Sequence, residues 1–403
     1  MTLNITSPKG FAATGAHTGV KKIKRDLSLI ASTVPATAAG CFTQNIVKAA
    51  PVVHDLAVIA GGGKVKGIVV NSGNANACTG PQGLADCRRM AEVYGRLLRV
   101  SPEEILVCST GVIGKPMPMD KITPGIQNAF PLLGSAFADG ELAAEGIMTT
   151  DTFKKTAAAQ VSLGGKTVTL AGMAKGSGMI HPNMATMLAF VTTDAAIERQ
   201  LLQKALTAAV DISFNMISVD GDTSTNDTIL VLANGQAANA PITAENEDYR
   251  AFSAALTEVC TKLAVQVARD GEGATKLMEV TVSGAADGEN ARKIARSVVS
   301  SNLVKTALFG ADANWGRGLC AMGYSGGEFD PNAVSIRFRG NAGEILWMEN
   351  GIPVDFDENL ASAILSEKDV FVDIGLKEGQ GTATAWGCDL TYDYVKINGD
   401  YRS

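Results

Sequence analysis

Thr186 stands inside the run Gly178-Met179-Ile180-His181-Pro182-Asn183-Met184-Ala185-Thr186-Met187-Leu188-Ala189-Phe190. A small residue precedes it. An alternating apolar run, Met187 to Thr192, follows it and reads as a strand. That arrangement suits a chain that cuts itself between Ala185 and Thr186. The Thr186 hydroxyl would attack the Ala185 carbonyl, and hydrolysis of the resulting ester would leave Thr186 as a new N-terminus. A free α-amine has a pKa of about 7.7–8.0, so near neutral pH it can act as base for its own hydroxyl. Spacing alone equally describes a buried strand with an ordinary threonine, and that is the commoner case.

Other residues could serve the same chemistry. Ile105-Leu106-Val107 reads as a strand that ends at Ser109-Thr110-Gly111. A strand ending in a polar residue and a glycine can aim a hydroxyl and a backbone N–H at one point, which a developing oxyanion needs. Lys175, in a Gly-rich turn eleven residues before Thr186, can hold a carboxylate as a compact point charge. A solvated surface lysine is the plainer reading. His181 lies beside the candidate nucleophile, but a terminal threonine carries its own base, so a structural role is expected. No HxxE or HxxxH spacing occurs, which gives a catalytic metal no ligand set. Gly323-Tyr324-Ser325-Gly326-Gly327 fits G-x-S-x-G but runs into Glu328-Phe329-Asp330-Pro331, which starts no helix. Gly165-Lys166-Thr167 echoes a phosphate loop, yet Gln160 occupies the place of its first glycine.

The elements that must position these residues are mixed α and β. Strands are expected at 67–70, running into the polar turn Asn71-Ser72-Gly73, and at 168–171, 216–219 and 228–232. The last two should pair around Asp220–Asp227. Helices are expected over 84–98, and from a cap at Asp194 to about Val210. The clearest helix spans 249–268, where Phe252, Leu256, Val259, Leu263 and Val267 fall on one face. Then come a strand at 279–282, a helix over 291–300, and strands at 334–338, 344–349 and 371–374. Asn350-Gly351 is a hairpin turn signal. A soft boundary near 278 divides a catalytic core, 1–278, from a smaller α+β part, 279–403.

Composition is that of an ordinary globular protein leaning slightly apolar. The chain has 403 residues, 46% of them apolar, and a net charge of −6, which argues against a nucleic-acid binder. Seven scattered cysteines without a CxxC pair suggest small buried residues rather than a zinc site or disulfide framework. No signal segment and no run of 18 apolar residues is seen, so a soluble, cytoplasmic protein without membrane contact is expected.

Blocks along the whole chain resemble the ornithine acetyltransferases, also called glutamate N-acetyltransferase or arginine biosynthesis bifunctional protein. They include Pro8-Lys9-Gly10-Phe11, Phe42-Thr43-Gln44-Asn45, Asn71-Ser72-Gly73-Asn74-Ala75-Asn76-Ala77 and Ser109-Thr110-Gly111-Val112-Ile113-Gly114. Met148-Thr149-Thr150-Asp151, Lys175-Gly176-Ser177-Gly178-Met179, the run through Thr186, and Ser218 to Asp227 follow. Asp270 to Lys276, Asp312-Asn314-Trp315-Gly316-Arg317 and Asn398-Gly399-Asp400-Tyr401-Arg402-Ser403 complete the match. The resemblance implies a self-processing α/β fold of mixed α+β character, with an N-terminal-nucleophile style core and a tail that returns to the active site. It implies cleavage between Ala185 and Thr186, with Thr186 as nucleophile and Thr110 and Gly111 as the oxyanion hole. Thr150, Lys175, Thr186, Glu272, Asn398 and Ser403 would contact substrate, Glu272 facing a substrate amine. Acetyl would pass from N2-acetyl-L-ornithine to L-glutamate through an acetyl-threonine. No cofactor is implied; some members of the family also take acetyl-CoA as co-substrate. The partner implied is the chain's own other fragment, in a heterotetramer with two copies of each. Two other readings share these residues: an amidase or aminopeptidase that passes the acyl group to water, and an uncleaved binding protein.

Overall fold

Two sheets, and the helices packed on them, position the candidate residues in the computed structural model, which describes residues 2–181 and 187–400. The first sheet contains β1 (Phe11–Ala16), β2 (Leu27–Phe42), β3 (Val65–Asn74), β4 (Ile105–Val112), β5 (Lys155–Leu163), β6 (Lys166–Lys175) and β7 (Leu188–Thr193). The short β8 (Ile217–Ser218) belongs to the second sheet, and β9 (Thr228–Ala233) returns to the first. The order is β4-β3-β2-β9-β7-β6-β5, with β1 also paired to β2. The β3–β4 and β7–β9 pairs are parallel and the others antiparallel. The second sheet adds β10 (Leu277–Ala285), β11 (Ser335–Gly340), β12 (Gly343–Glu349), β13 (Ile352–Pro353), β14 (Asp369–Gly375) and β15 (Gly381–Cys388), in the order β13-β12-β11-β14-β10-β15-β8. The fold is mixed α/β, as the sequence implied.

Strand β2 joins the two halves of the first sheet. Its register shifts between Ala31 and Ala36, around Pro35. A proline has no N–H for a ladder, so the strand changes partner there. Its first half pairs with β3 and its second with β9. The alternation along β7 separates two cores: Ala189 and Val191 pack on one face, Leu188 and Phe190 on the other. The first of these cores continues through the helix Glu247–Arg269 into the second sheet, where it takes in Val280, Trp347 and Trp386. On that helix Phe252, Leu256, Val259, Leu263 and Val267 are all fully buried, the face that the spacing predicts. Each such side chain is worth about 1.5–3 kcal/mol of burial. Asn246 caps the helix by accepting from Tyr249 N.

Several expectations need correction. Asn71-Ser72-Gly73 is not a turn; β3 continues to Asn74 because the parallel pairing with β4 continues to Val112. Strands β8 and β9 do not pair: β8 lies on β15 and β9 between β2 and β7. Asp194 does not cap the helix after it. Its carboxylate accepts from Thr169 N at 2.8 Å and Lys9 N at 3.1 Å, and the helix begins at Arg199 behind Glu198. Cys78 and Cys320 are exposed, while the other five cysteines are buried. Asn350 and Gly351 do form the β12–β13 hairpin turn, with φ of 49° and 72°. Gly164 and Gly165 form the β5–β6 turn, which accounts for the phosphate-loop echo. No helix of the described residues is long and apolar enough to cross a membrane.

Candidate active site

Thr110 and Gly111 lie in the last turns of the β3–β4 ladder, where Gly73 is opposite Gly111 and Asn74 opposite both Thr110 and Val112. Gly111 has φ of 129°, and a Cβ there would come within 2.4 Å of the Gly73 carbonyl carbon. Only glycine fits that approach without strain. Among the described residues the outer edge of β4 has no neighbouring strand, and side chains take its place. His54 Nε2 lies 3.0 Å from Ile105 O, Asp55 Oδ1 accepts from Val107 N at 2.8 Å, and Asn226 Nδ2 donates to Ser109 O at 2.8 Å. Asn226 also donates to Ala75 O at 2.5 Å, joining the ends of β3 and β4.

Lys175 is the last residue of β6, paired with Leu188 at the start of β7. It is buried, not a solvated surface lysine. Its ammonium donates to Thr110 Oγ1 at 3.3 Å, which leaves the Thr110 hydroxyl proton free to point into the site. Burial pulls the Lys175 pKa down; Asp151 pulls it up and Lys155 pushes it down. Behind it, Lys155 Nζ is held by Asp151 Oδ1 at 2.6 Å and Asp270 Oδ2 at 2.5 Å, all three buried. Asp151 Oδ1 also accepts from Gly176 N at 2.7 Å. Burial alone would raise the Asp151 pKa, but Lys155 and Lys175 hold its carboxyl well below the usual range.

Glu272 reaches the site from the turn after the long helix, with its N–H bonded to Ser177 O at 2.8 Å. A Cβ on Gly178 would meet the Glu272 carboxylate at 2.3 Å, so the glycine makes room for it. Asn398, on a C-terminal helix Tyr392–Asp400, donates to Glu272 Oε2 at 2.8 Å. That segment is a helix docked on the site rather than a frayed tail. Gly273 (φ 69°) lets the helix approach, since a Cβ there would lie 2.7 Å from Tyr394 N. Tyr394 in turn donates to Asp220 Oδ2 at 3.2 Å, and Asp220 accepts from Met179 N at 2.6 Å and Ile180 N at 2.8 Å. His181 Nδ1 is 3.1 Å from Ser218 Oγ, a contact to β8 and not to the cavity.

Thr110, Gly111, Thr150, Lys175, Glu272 and Asn398 line one cavity of about 120 Å³, together with Met187 and Leu188. Ala185, Thr186 and Ser403 lie outside the described residues; Met187 and Leu188 are the first residues after Thr186. Sequence reasoning gave no role to Asn226 or to Asp151, Lys155 and Asp270. Their partners are 115 to 151 residues away in three of the contacts, a distance no local pattern reports. Among the described residues no cluster of His, Cys, Asp or Glu has the makeup of a metal site.

The profile of the ArgJ family matches residues 12–403. The chain belongs to the ArgJ family. The arginine biosynthesis bifunctional protein ArgJ of Symbiobacterium thermophilum is 55% identical over 99% of this chain and 98% of its own. That of Thermotoga neapolitana is 52% identical over 98% and 99%. The crystal structure of arginine biosynthesis bifunctional protein ArgJ from Bacillus halodurans is 51% identical with a TM-score of 0.51. It covers 54% of this ArgJ chain and 100% of that one.

Proposed function

We propose that this chain is the acetyltransferase of arginine biosynthesis that forms N-acetyl-L-glutamate in two half-reactions on one threonine. Self-cleavage frees Thr186. Its α-amine takes the proton of its own hydroxyl as the oxygen attacks the acetamide carbonyl of N2-acetyl-L-ornithine. The Thr110 hydroxyl and Gly111 N–H donate to the oxyanion. The C–N bond breaks, the proton passes to the departing amine, and ornithine leaves an acetyl ester on Thr186. The α-amine of L-glutamate then takes the acetyl group. Lys175 holds the substrate carboxylate, whose charge offsets the burial that otherwise disfavours the ammonium. Glu272, oriented by Asn398, receives the ornithine amine, and Thr150 and Ser403 complete the pocket. Acetyl-CoA serves as the second acetyl source, as the word bifunctional in the relatives' names implies. The cut protein assembles as two copies of each fragment.

The observation that carries this reading is the shared cavity. Residues from β4, the end of β6, the turn at 272 and the tail helix line one cavity with Met187 and Leu188, which directly follow Thr186 in sequence. The extent of the Bacillus halodurans match supports the cut: 54% of 403 is about 218 residues, the length from Thr186 to Ser403. Acetylornithine alone should add one acetyl group to the fragment beginning at Thr186, seen by intact mass, and glutamate should remove it as N-acetylglutamate. Thr186→Ala should stay one chain and be inactive. A full-length, uncut chain in an active preparation would overturn the reading, and loss of the acetyl group to water, unaffected by glutamate, would favour a hydrolase.

A further inference from the structure

On a chain of net charge −6, four of the five residues from Lys21 to Arg25 are basic. Two of these are already engaged. Lys21 turns inward, donating to Ser72 Oγ at 2.6 Å, Arg25 O at 3.0 Å and Met148 O, and burial lowers its pKa to about 8. Arg25 pairs with Glu145 at 3.1 Å. Lys22 and Lys24 point outward with Ile23, 88% exposed, between them. The loop is fixed by the buried Asp26 carboxylate, which accepts from Thr18 N, Thr18 Oγ1, Gly19 N and Lys21 N at 2.6–3.1 Å. A second basic segment follows β4. Lys115 and Lys121 are exposed there, and Lys121 Nζ donates to Gly19 O at 2.8 Å, tying the two segments together. Lys22, Lys24 and Lys115 have no carboxylate partner among the described residues.

Both segments rest on the oxyanion turn. A Cβ on Gly73 would lie 3.0 Å from Val20 and 3.2 Å from Lys21, and Gly73 is the residue packed against Gly111. Asn74 Nδ2 donates to Lys115 O at 3.2 Å and Pro116 O at 3.0 Å. Lys24 lies three residues beyond Lys21, at most about 10 Å of extended chain. The unpaired cations thus stand on two segments that adjoin the ends of β3 and β4, where Thr110 and Gly111 lie. None of Lys22, Lys24 and Lys115 lines the cavity that would take acetylornithine or glutamate. The cavity is of amino-acid size, so the nucleotide half of acetyl-CoA must lie outside it.

We propose that Lys22, Lys24 and Lys115 bind the phosphates of acetyl-CoA, so that its thioester reaches the Thr110–Gly111 donors. This rests on the reading that acetyl-CoA is the second acetyl donor. In that half-reaction the C–S bond breaks and a C–O bond to Thr186 forms. The hydroxyl proton passes through the Thr186 amine to the departing thiolate. The lysines act on binding alone, as point charges toward phosphate, and through the positive field they create.

The test compares acetyl-CoA with S-acetylpantetheine, which has the same thioester without the nucleotide, in the cleaved enzyme with glutamate as acceptor. Reversal of two exposed charge contacts in Lys22→Glu/Lys24→Glu should raise KM for acetyl-CoA on the order of ten-fold. KM for S-acetylpantetheine and for acetylornithine should stay unchanged. Added salt should raise the native KM for acetyl-CoA and narrow its gap to the variant, since the contacts are screened. An unchanged acetyl-CoA KM in the variant overturns the patch and leaves the second donor standing. An equal loss with S-acetylpantetheine also overturns it, because the damage would then lie in the oxyanion turn. Native enzyme that uses acetylornithine but not acetyl-CoA removes the second donor and the patch with it.

Discussion

Lys175 and His181 precede Thr186 by eleven and five residues, and burial pushes both toward their neutral forms. They differ in what lies opposite. Lys175 lines the cavity, where a substrate carboxylate can restore its charge. His181 is lowered to about 4 by burial and by Arg296, against a smaller opposing pull from Asp220. Its imidazole is therefore neutral at neutral pH, and it lies between Ser218 Oγ at 3.1 Å and Ser300 Oγ at 3.4 Å. The unfolded chain, with its histidine near 6.5, binds more protons than the folded one between those two values. The His181 contribution is fully present above about pH 6.5 and is lost as pH falls toward 4. His181→Gln should flatten the loss of urea midpoint over that window and leave the acid limb of kcat/KM in place, since the proposed base is the Thr186 amine. An acid limb that moves in this variant would give the imidazole a part in proton transfer. A structural role for His181 was to be expected from the sequence, on the proposal that a terminal threonine carries its own base. The burial of Lys175 was not, since a lysine among glycines looks the same whether it ends a turn or an inner strand.

Element by element, what could be read from sequence was what depends on near neighbours. The long helix follows from five apolar residues on one face, and the Asn350-Gly351 hairpin from two residues that tolerate positive φ. Strand β2 gives no such signal, because Pro35 interrupts it and its halves pair with different strands. The polar ends of β3 and β4 looked like turns because their hydrogen bonds go to side chains distant in sequence. The helix Ala50–Gly61 covers the free edge of β4 with His54 and Asp55. Asp55 is fully buried, and that burial raises its pKa well above the ordinary value. A carboxyl with a raised folded pKa loses stability as pH climbs from its unfolded value toward its folded one. Asp55→Asn keeps an acceptor for Val107 N without a buried charge, so its stability relative to the native protein should improve in urea titrations as pH rises above the ordinary carboxylate value of about 4. Asp55→Leu leaves the Val107 N–H unpaired and should cost about 1–3 kcal/mol. Thr110 lies three residues further along the same strand, so kcat should fall in the Leu variant and recover in the Asn variant. Equal stability and activity in all three proteins would show that β4 needs no such support.

The proposed cut at Ala185–Thr186 divides the whole molecule in an unusual way. In the first sheet, β4, β3 and β2 belong to the upstream fragment, β9 and β7 to the downstream one, and β6 and β5 to the upstream one again. Two strands of one fragment are thus inserted between strands of the other, with β2 bonded to β9 and β6 to β7. The core on one face is shared as well: Ala174 and Leu170 come from upstream, Val191, Leu263 and Val280 from downstream. Separating the fragments would expose that core and four strand edges, so the cut protein should not come apart without unfolding. It should co-purify as two fragments and lose structure in a single transition. The cut still changes the thermodynamics. Per pair of fragments, unfolding the cut protein releases one more molecule than unfolding the uncut Thr186→Ala chain, whatever assembly the two share. The apparent stability of the cut protein should therefore rise with protein concentration by about 1.4 kcal/mol more per ten-fold increase than that of the uncut chain. Urea midpoints measured across a hundred-fold concentration range should rise more steeply for the native protein than for Thr186→Ala. Fragments that elute separately from a sizing column in native buffer, or a native midpoint that ignores concentration, would show that the halves are not held by the shared sheet.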